Sequence, residues 1–210
     1  MTDYPRDMIG FGPEPPHADW PNGARIAISF VINHEEGAES CILHGDAQSE
    51  RYLCDVGPVE AVPVVGGRDL NIESMFEYGA RVGFWRLKAA LDRYGVKATA
   101  SINASVCLSY PDIAGAIREG GWEFMGHGFT QLATNQVDDQ REMVRKSVET
   151  IRDFTGVGPR GWLGPGLTET WETPEILVEN GIEYVCDWVA DDQPFEMRTA
   201  AGPLASVPYS

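Results

Sequence analysis

Basic residues are scarce in this sequence. Sixteen Lys and Arg stand against 32 Asp and Glu, for a formal charge of −16 and a pI near 4.5. The few cations are scattered along the chain, so a surface that attracts nucleic-acid phosphates or anionic lipid is excluded as an expectation. Long apolar runs are missing too, and no window approaches the roughly 18 residues a membrane span needs. Residues 1–24 lack a basic segment followed by an apolar one, which is what an export signal requires. A cytoplasmic protein with a small-molecule partner is expected, with no nucleic acid and no membrane. Cysteine is limited to Cys41, Cys54, Cys107 and Cys186. None is in CxxC spacing, so a zinc ribbon or a disulfide framework is excluded and reduced packing residues are expected.

What is present is a βα alternation. At 210 residues with 43% hydrophobic content, the chain suits one sizeable core. Residues 1–24 are rich in Pro and Gly and read as an extended arm; such arms dock on a neighbouring subunit, and a homo-oligomer is expected. "RIAISFVIN" then reads as a strand covered on both faces. A helix follows over 73–95, with Phe84, Leu87, Leu91 and Tyr94 at helical spacing. Strands are expected at 96–103, 122–127, 160–166, 182–188 and 204–210. Helices are expected at 111–121, 137–156 with Val144, Val148 and Ile151 inward, and 173–181 with Thr173 as cap. The pattern predicts parallel βα units in a barrel-like sheet over residues 25–210. With about six strands and no final helix, that barrel is expected to be incomplete, since eight units usually take about 250 residues.

In such folds the strand C-terminal ends line the active-site mouth. Asn33, His34, Glu35 and Glu36 follow the first strand, Asn103 the second, His127 the third, Gly164 to Gly166 the fourth, and Asp187, Asp191 and Asp192 the fifth. Adjacent carboxylates can divide hydrolytic work, one activating water while the other orients it or holds an ion. They can equally sit in solvent at the rim. His127, between glycines in "FMGHG", is a candidate ligand or a structural histidine, and His44 in "CILHGD" could reach the same mouth. Tyr78 and Arg81 could face a carbonyl or carboxylate, although Arg81 is also four residues from Glu77 and suited to pair with it. Trp162 is a candidate pocket wall, and the turn after it a source of free N–H groups. Asp187 and Asp191 are further substrate-facing candidates, whereas Asp192 reads as solvated.

"INHEEGAE", "ESMFEYGARVGFWR", "WEFMGHG" and "RGWLGPG", in this order, resemble the polysaccharide deacetylase (NodB homology) family. The likeness is greatest to its intracellular allantoinase-like branch, which "DYPRDMIGFG" and "EEGAESCILHGD" also fit. The resemblance implies a distorted (β/α) barrel and hydrolysis of non-peptide C–N bonds. In metal-dependent members an acidic pair supplies base and ligand and an HxxxH motif supplies two more ligands. Carried over by position, Glu35 becomes the base, Glu36 a ligand and His127 the first histidine, while the second histidine falls on Gln131. An amide oxygen is a poor Zn²⁺ ligand, so no cofactor is expected. The alternative is one divalent ion (Zn, Co or Ni) on Glu36, His127 and Gln131. The family's late, proton-donating histidine has no counterpart before residue 210, as expected of a barrel truncated at its C-terminus. The expected activity is hydrolysis of a small cytosolic amide or ureide such as allantoin. Its rivals are a metal-dependent N-deacetylase of amino sugars and a non-catalytic ligand-binding remnant.

Overall fold

A computed structural model of the protein describes residues 11, 13–51 and 62–209. Cys54 and the first ten residues of the arm lie outside the described residues. Seven strands form one sheet: β1 Val31–His34, β2 Thr99–Ile102, β3 Glu123–Gly126, β4 Gly161–Trp162, β5 Tyr184–Val185, β6 Phe195–Thr199 and β7 Gly202–Ser206. Their order is β1-β2-β3-β4-β5-β7-β6, parallel throughout except for the antiparallel β6–β7 pair. Consecutive parallel strands lie side by side, so the C-terminal ends of β1 to β5 open on one rim. Among the described residues β1 and β6 each have one neighbour, and the sheet is open, in keeping with a distorted barrel.

Helices between the strands bury their apolar stripes against this sheet. α1 (Leu70–Tyr78) and α2 (Phe84–Arg93) are joined without interruption by a π-helical turn, Gly79–Gly83. The helix begins three residues before the expected Glu73 because the Asp69 carboxylate accepts from the N–H groups of Asn71 and Ile72. Its buried face is Ile72, Phe76, Ala80 and Phe84, whereas Leu87 and Tyr94 are exposed. The wider π turn rotates the face that the apolar spacing alone indicated. α3 (Val106–Ser109), α4 (Pro111–Glu119), α5 (Gln140–Thr155) and α6 (Thr173–Glu179) complete the set. On α5, Val144, Val148 and Ile151 are all buried, and Gly156 ends the helix in the left-handed conformation. On α6 the capping position is Glu172, one residue before the expected Thr173.

Two corrections concern the sheet edges. Residues 25–30 are not covered on both faces: Ile26 and Ile28 are 69% and 70% exposed. Pairing to β2 starts only at Val31, and no described strand lies on the outer edge of β1. At the other edge, β6 was not anticipated. "FEMRT" alternates weakly, and only its pairing with β7, which buries Met197 against Leu204, makes it a strand. The described part of the arm is largely exposed and carries a short 3-10 turn at Pro21–Gly23, and Gln193 Nε2 donates to its Pro16 carbonyl at 2.8 Å.

The core has one cluster around Phe84, Ile102, Ile117 and Phe124 and another around Val148, Trp162, Leu177 and Leu204. The Trp162 ring lies over Gly126, where a Cβ would stand 2.6 Å from the ring atom Cε3. Gly126→Ala should therefore destabilise the fold by roughly 1–3 kcal/mol through overpacking. Gly115→Ala, on α4 with no atom within 4 Å of the added carbon, should stabilise by about 0.5–1 kcal/mol. Urea unfolding midpoints of the two variants check the pair.

Candidate active site

β1 and β3 deliver the two groups that meet. Glu35 leaves the end of β1 and His127 the end of β3, and His127 Nε2 is 3.0 Å from Glu35 Oε1. The His127 side chain is 2% exposed and that of Glu35 17%, so the acid keeps an open edge while the imidazole does not. Both the ring and the backbone of this residue are held. Its Nδ1 is 2.5 Å from the Leu163 carbonyl, its own carbonyl accepts from Asn103 Nδ2, and its N–H donates to Ile102 C=O at 3.1 Å. A carbonyl can only accept, so Nδ1 carries a hydrogen and Nε2 is the nitrogen that shares a proton with Glu35.

Glu36, the neighbouring acid, faces elsewhere. Its Oε2 is 3.2 Å from His34 Nδ1 and accepts from the Glu35 N–H at 3.2 Å. The side chain lies against Gly79 in the π turn, where any Cβ would overlap the carboxylate. Burial raises the Glu36 pKa, and the nearby charges of Glu35 and Glu39 add to the effect. His34 is pushed down to about 4 by burial. A carboxylate at 3.2 Å would favour the imidazolium, but an ion enclosed among apolar rings such as Phe84 loses more by desolvation. His34 is therefore neutral and holds Glu36 as a donor.

On the opposite flank, Asp187 follows β5 and its Oδ1 accepts from Gly164 N–H at 2.6 Å. It is 5% exposed, and burial lifts its pKa to about 6 against the opposing effects of Glu169, the Gly164 N–H and the His127 charge. The Gly164 N–H is thus engaged and is not the free oxyanion donor that the turn suggested. Trp162 is a core residue with no exposed surface, not a pocket wall, because β4 is an interior strand.

The remaining candidates make contacts other than with the Glu35–His127 pair. His44, Tyr78 and Arg81 line a separate groove of about 550 Å³ with Arg68, Glu73 and Tyr110. Arg81 pairs with Glu77, Tyr78 Oη accepts from Arg86, and His44 Nδ1 donates to the Glu39 carbonyl. Asp191 turns back on its own loop and accepts from Asp192 and Gln193 N–H. Gln131 lines a cavity of about 510 Å³ with Gln48, Ser49, Asn135, Gln136 and Thr168. Its N–H donates to Ala38 C=O at 2.9 Å, and its buried Oε1 has no hydrogen-bond partner.

The trio Glu36, His127 and Gln131 does not form a donor set for an ion. Both ring nitrogens of His127 are engaged by Leu163 and Glu35, and Glu36 is turned toward His34. No group of three His, Cys, Asp or Glu side chains suited to a metal occurs among the described residues. Three contributors went unassigned in the sequence. His34 was noted only for its position, Glu169 lies in a loop without motif, and a glycine inside a helical pattern was the one available sign of the Gly79 contact.

The two buried groups have opposite linkage. Between about pH 4 and 6.5 folded His34 binds fewer protons than the unfolded chain, so its contribution is complete above 6.5 and is lost as pH falls toward 4. Asp187 binds more protons folded than unfolded between 3.8 and about 6, so stability declines there as pH rises. His34→Gln should flatten the acid-side loss, and Asp187→Asn should abolish the opposing slope. Urea unfolding of each variant across this pH range checks both signs.

The family model for polysaccharide deacetylase matches residues 67–185. A Schizosaccharomyces pombe protein whose name places it among the polysaccharide deacetylases is 32% identical over 97% of this chain and 65% of its own length. The chain thus spans somewhat under two thirds of that relative. Two solved structures superpose with a TM-score of 0.89 over 99% of this chain and 69% of theirs. One is PuuE allantoinase, 36% identical; the other, 37% identical, is described as a probable polysaccharide deacetylase from Pseudomonas aeruginosa. The strand-end site and these matches together place the chain in the polysaccharide deacetylase family.

Proposed function

We propose that the protein hydrolyses a non-peptide C–N bond in a small amide or ureide, with Glu35 as the proton-transferring carboxylate. The observation that carries this reading is the Glu35–His127 contact at the strand ends, with the acid partly open and the imidazole fixed behind it. A water at the open edge of Glu35 attacks the carbonyl carbon as its proton passes to the carboxylate. The tetrahedral intermediate then expels nitrogen, the C–N bond breaks, and the same proton goes from Glu35 to the leaving nitrogen. Nδ1 and Nε2 of His127 both point at acceptors, so the ring holds Glu35 in place and balances its charge during the two transfers. This scheme needs no later histidine.

The cavity of about 510 Å³ that Gln131 lines, with amides and hydroxyls but also Glu50 and Arg51 in its wall, has the size for a small substrate. Likeness to PuuE allantoinase supports ureides as the first class to try. The reading is metal-free, since the carboxylate and imidazole already satisfy each other. The net charge of −16 favours a small molecule over nucleic acid or a membrane surface, and no described helix is long and apolar enough to cross a membrane. A cytoplasmic setting is part of the proposal.

Hydrolysis of allantoin and a panel of N-acyl compounds tests the proposal. Glu35→Gln should lower kcat by roughly 10²–10⁴-fold, the usual weight of a general acid–base group, while the fold stays intact by circular dichroism. Equal turnover by the variant removes Glu35 from the reaction.

A further inference from the structure

The peptide unit joining Leu163 to Gly164 comes just after β4, where the backbone ladders run out. The last rungs are Leu163 N–H on the Gly126 carbonyl and Cys186 N–H on the Trp162 carbonyl, each 2.9 Å. Beyond them, side chains take both polar ends of this one peptide. Its carbonyl accepts from His127 Nδ1 at 2.5 Å and its N–H donates to Asp187 Oδ1 at 2.6 Å. A continuous line of hydrogen bonds therefore runs from Glu35 through His127 and the peptide to Asp187, across the ends of β1, β3, β4 and β5.

A peptide is a conjugated group, so its two ends are not independent. An acceptor that draws on the N–H shifts electron density toward the carbonyl oxygen and makes it a better acceptor in turn. Both flanking side chains are buried, which strengthens the effect by excluding water. We infer that Asp187 is a positioning residue that acts on His127 through the Leu163–Gly164 peptide. It holds the hydrogen on Nδ1 so that Nε2 always faces Glu35. The inference rests on the Glu35–His127 pair being the reacting centre.

Two features belong to the same device. Glycine at 164 is required, because a Cβ there would stand 3.0 Å from Asp187 Oδ2 and 2.7 Å from the Thr168 carbonyl. Any side chain would force the carboxyl away from the N–H. Glu169 also acts on Asp187, lowering its pKa against the effect of burial, so the acid senses both the peptide and a second carboxyl.

Asp187→Asn keeps the volume and an oxygen for Gly164 N–H but removes the acid. Proton and nitrogen NMR of protein labelled at histidine and glycine reads the result. The wild type should show His127 protonated at Nδ1, with that proton and the Gly164 amide proton both far downfield. In Asp187→Asn both resonances should move upfield, and kcat should fall roughly tenfold or more with KM little changed, as for outer partners of site histidines. Gly164→Ala, which keeps an aspartate at 187 but displaces its carboxyl, should move the same two resonances. An unchanged Nδ1 proton in Asp187→Asn overturns the relay. If that variant fails to fold, the wild-type spectrum decides alone: a His127 protonated only at Nε2, or a Gly164 amide at an ordinary position, contradicts it. Should no substrate be hydrolysed, the NMR result stands by itself, so the relay and the hydrolytic reading fail separately.

Discussion

The His127 ring, held between the Leu163 carbonyl and the Glu35 carboxylate, is the contact on which the rest of the site depends. It requires β1, β3 and β4 to end at the same level. The parallel order β1-β2-β3-β4-β5 provides this, because each helix returns the chain to start the next strand in the same direction. Gly126 brings β3 close over Trp162, and the next residue is His127. Packing of the second core cluster is thereby coupled to the position of the imidazole.

Two adjacent acids meet different surroundings. Glu35 meets an imidazole and keeps an open edge, whereas Glu36 is enclosed by neutral His34 and the backbone at Gly79. Burial raises the Glu36 pKa, and repulsion from the neighbouring Glu35 carboxylate acts in the same direction. The π turn serves this division, since its bare glycine is what admits the Glu36 side chain. A regular helix carrying alanine at that point would displace the acid.

Much of this was legible in the sequence. Strand-to-helix alternation located the six parallel strands, and strand ends alone nominated Glu35, Glu36, His127 and Asp187. What failed to show were features set by partners distant in the chain. "FEMRT" becomes a strand only beside β7, and the apolar run at 25–30 lies exposed because its edge has no described neighbour. Arg81, Tyr78 and His44 carry suggestive chemistry but face a different groove, as the outward side of α1 and the loop at 42–44 dictates. The peptide link between His127 and Asp187 has no signature in residue types at all, because its central element is backbone.

The central claim is that the Glu35–His127 pair performs proton transfer for C–N hydrolysis without an ion. Turnover by protein dialysed against chelator and verified as metal-free by elemental analysis tests it most directly. Undiminished hydrolysis of the amide or ureide substrate is the predicted result. Activity that vanishes on stripping and returns in proportion to added Zn²⁺, Co²⁺ or Ni²⁺ would contradict it.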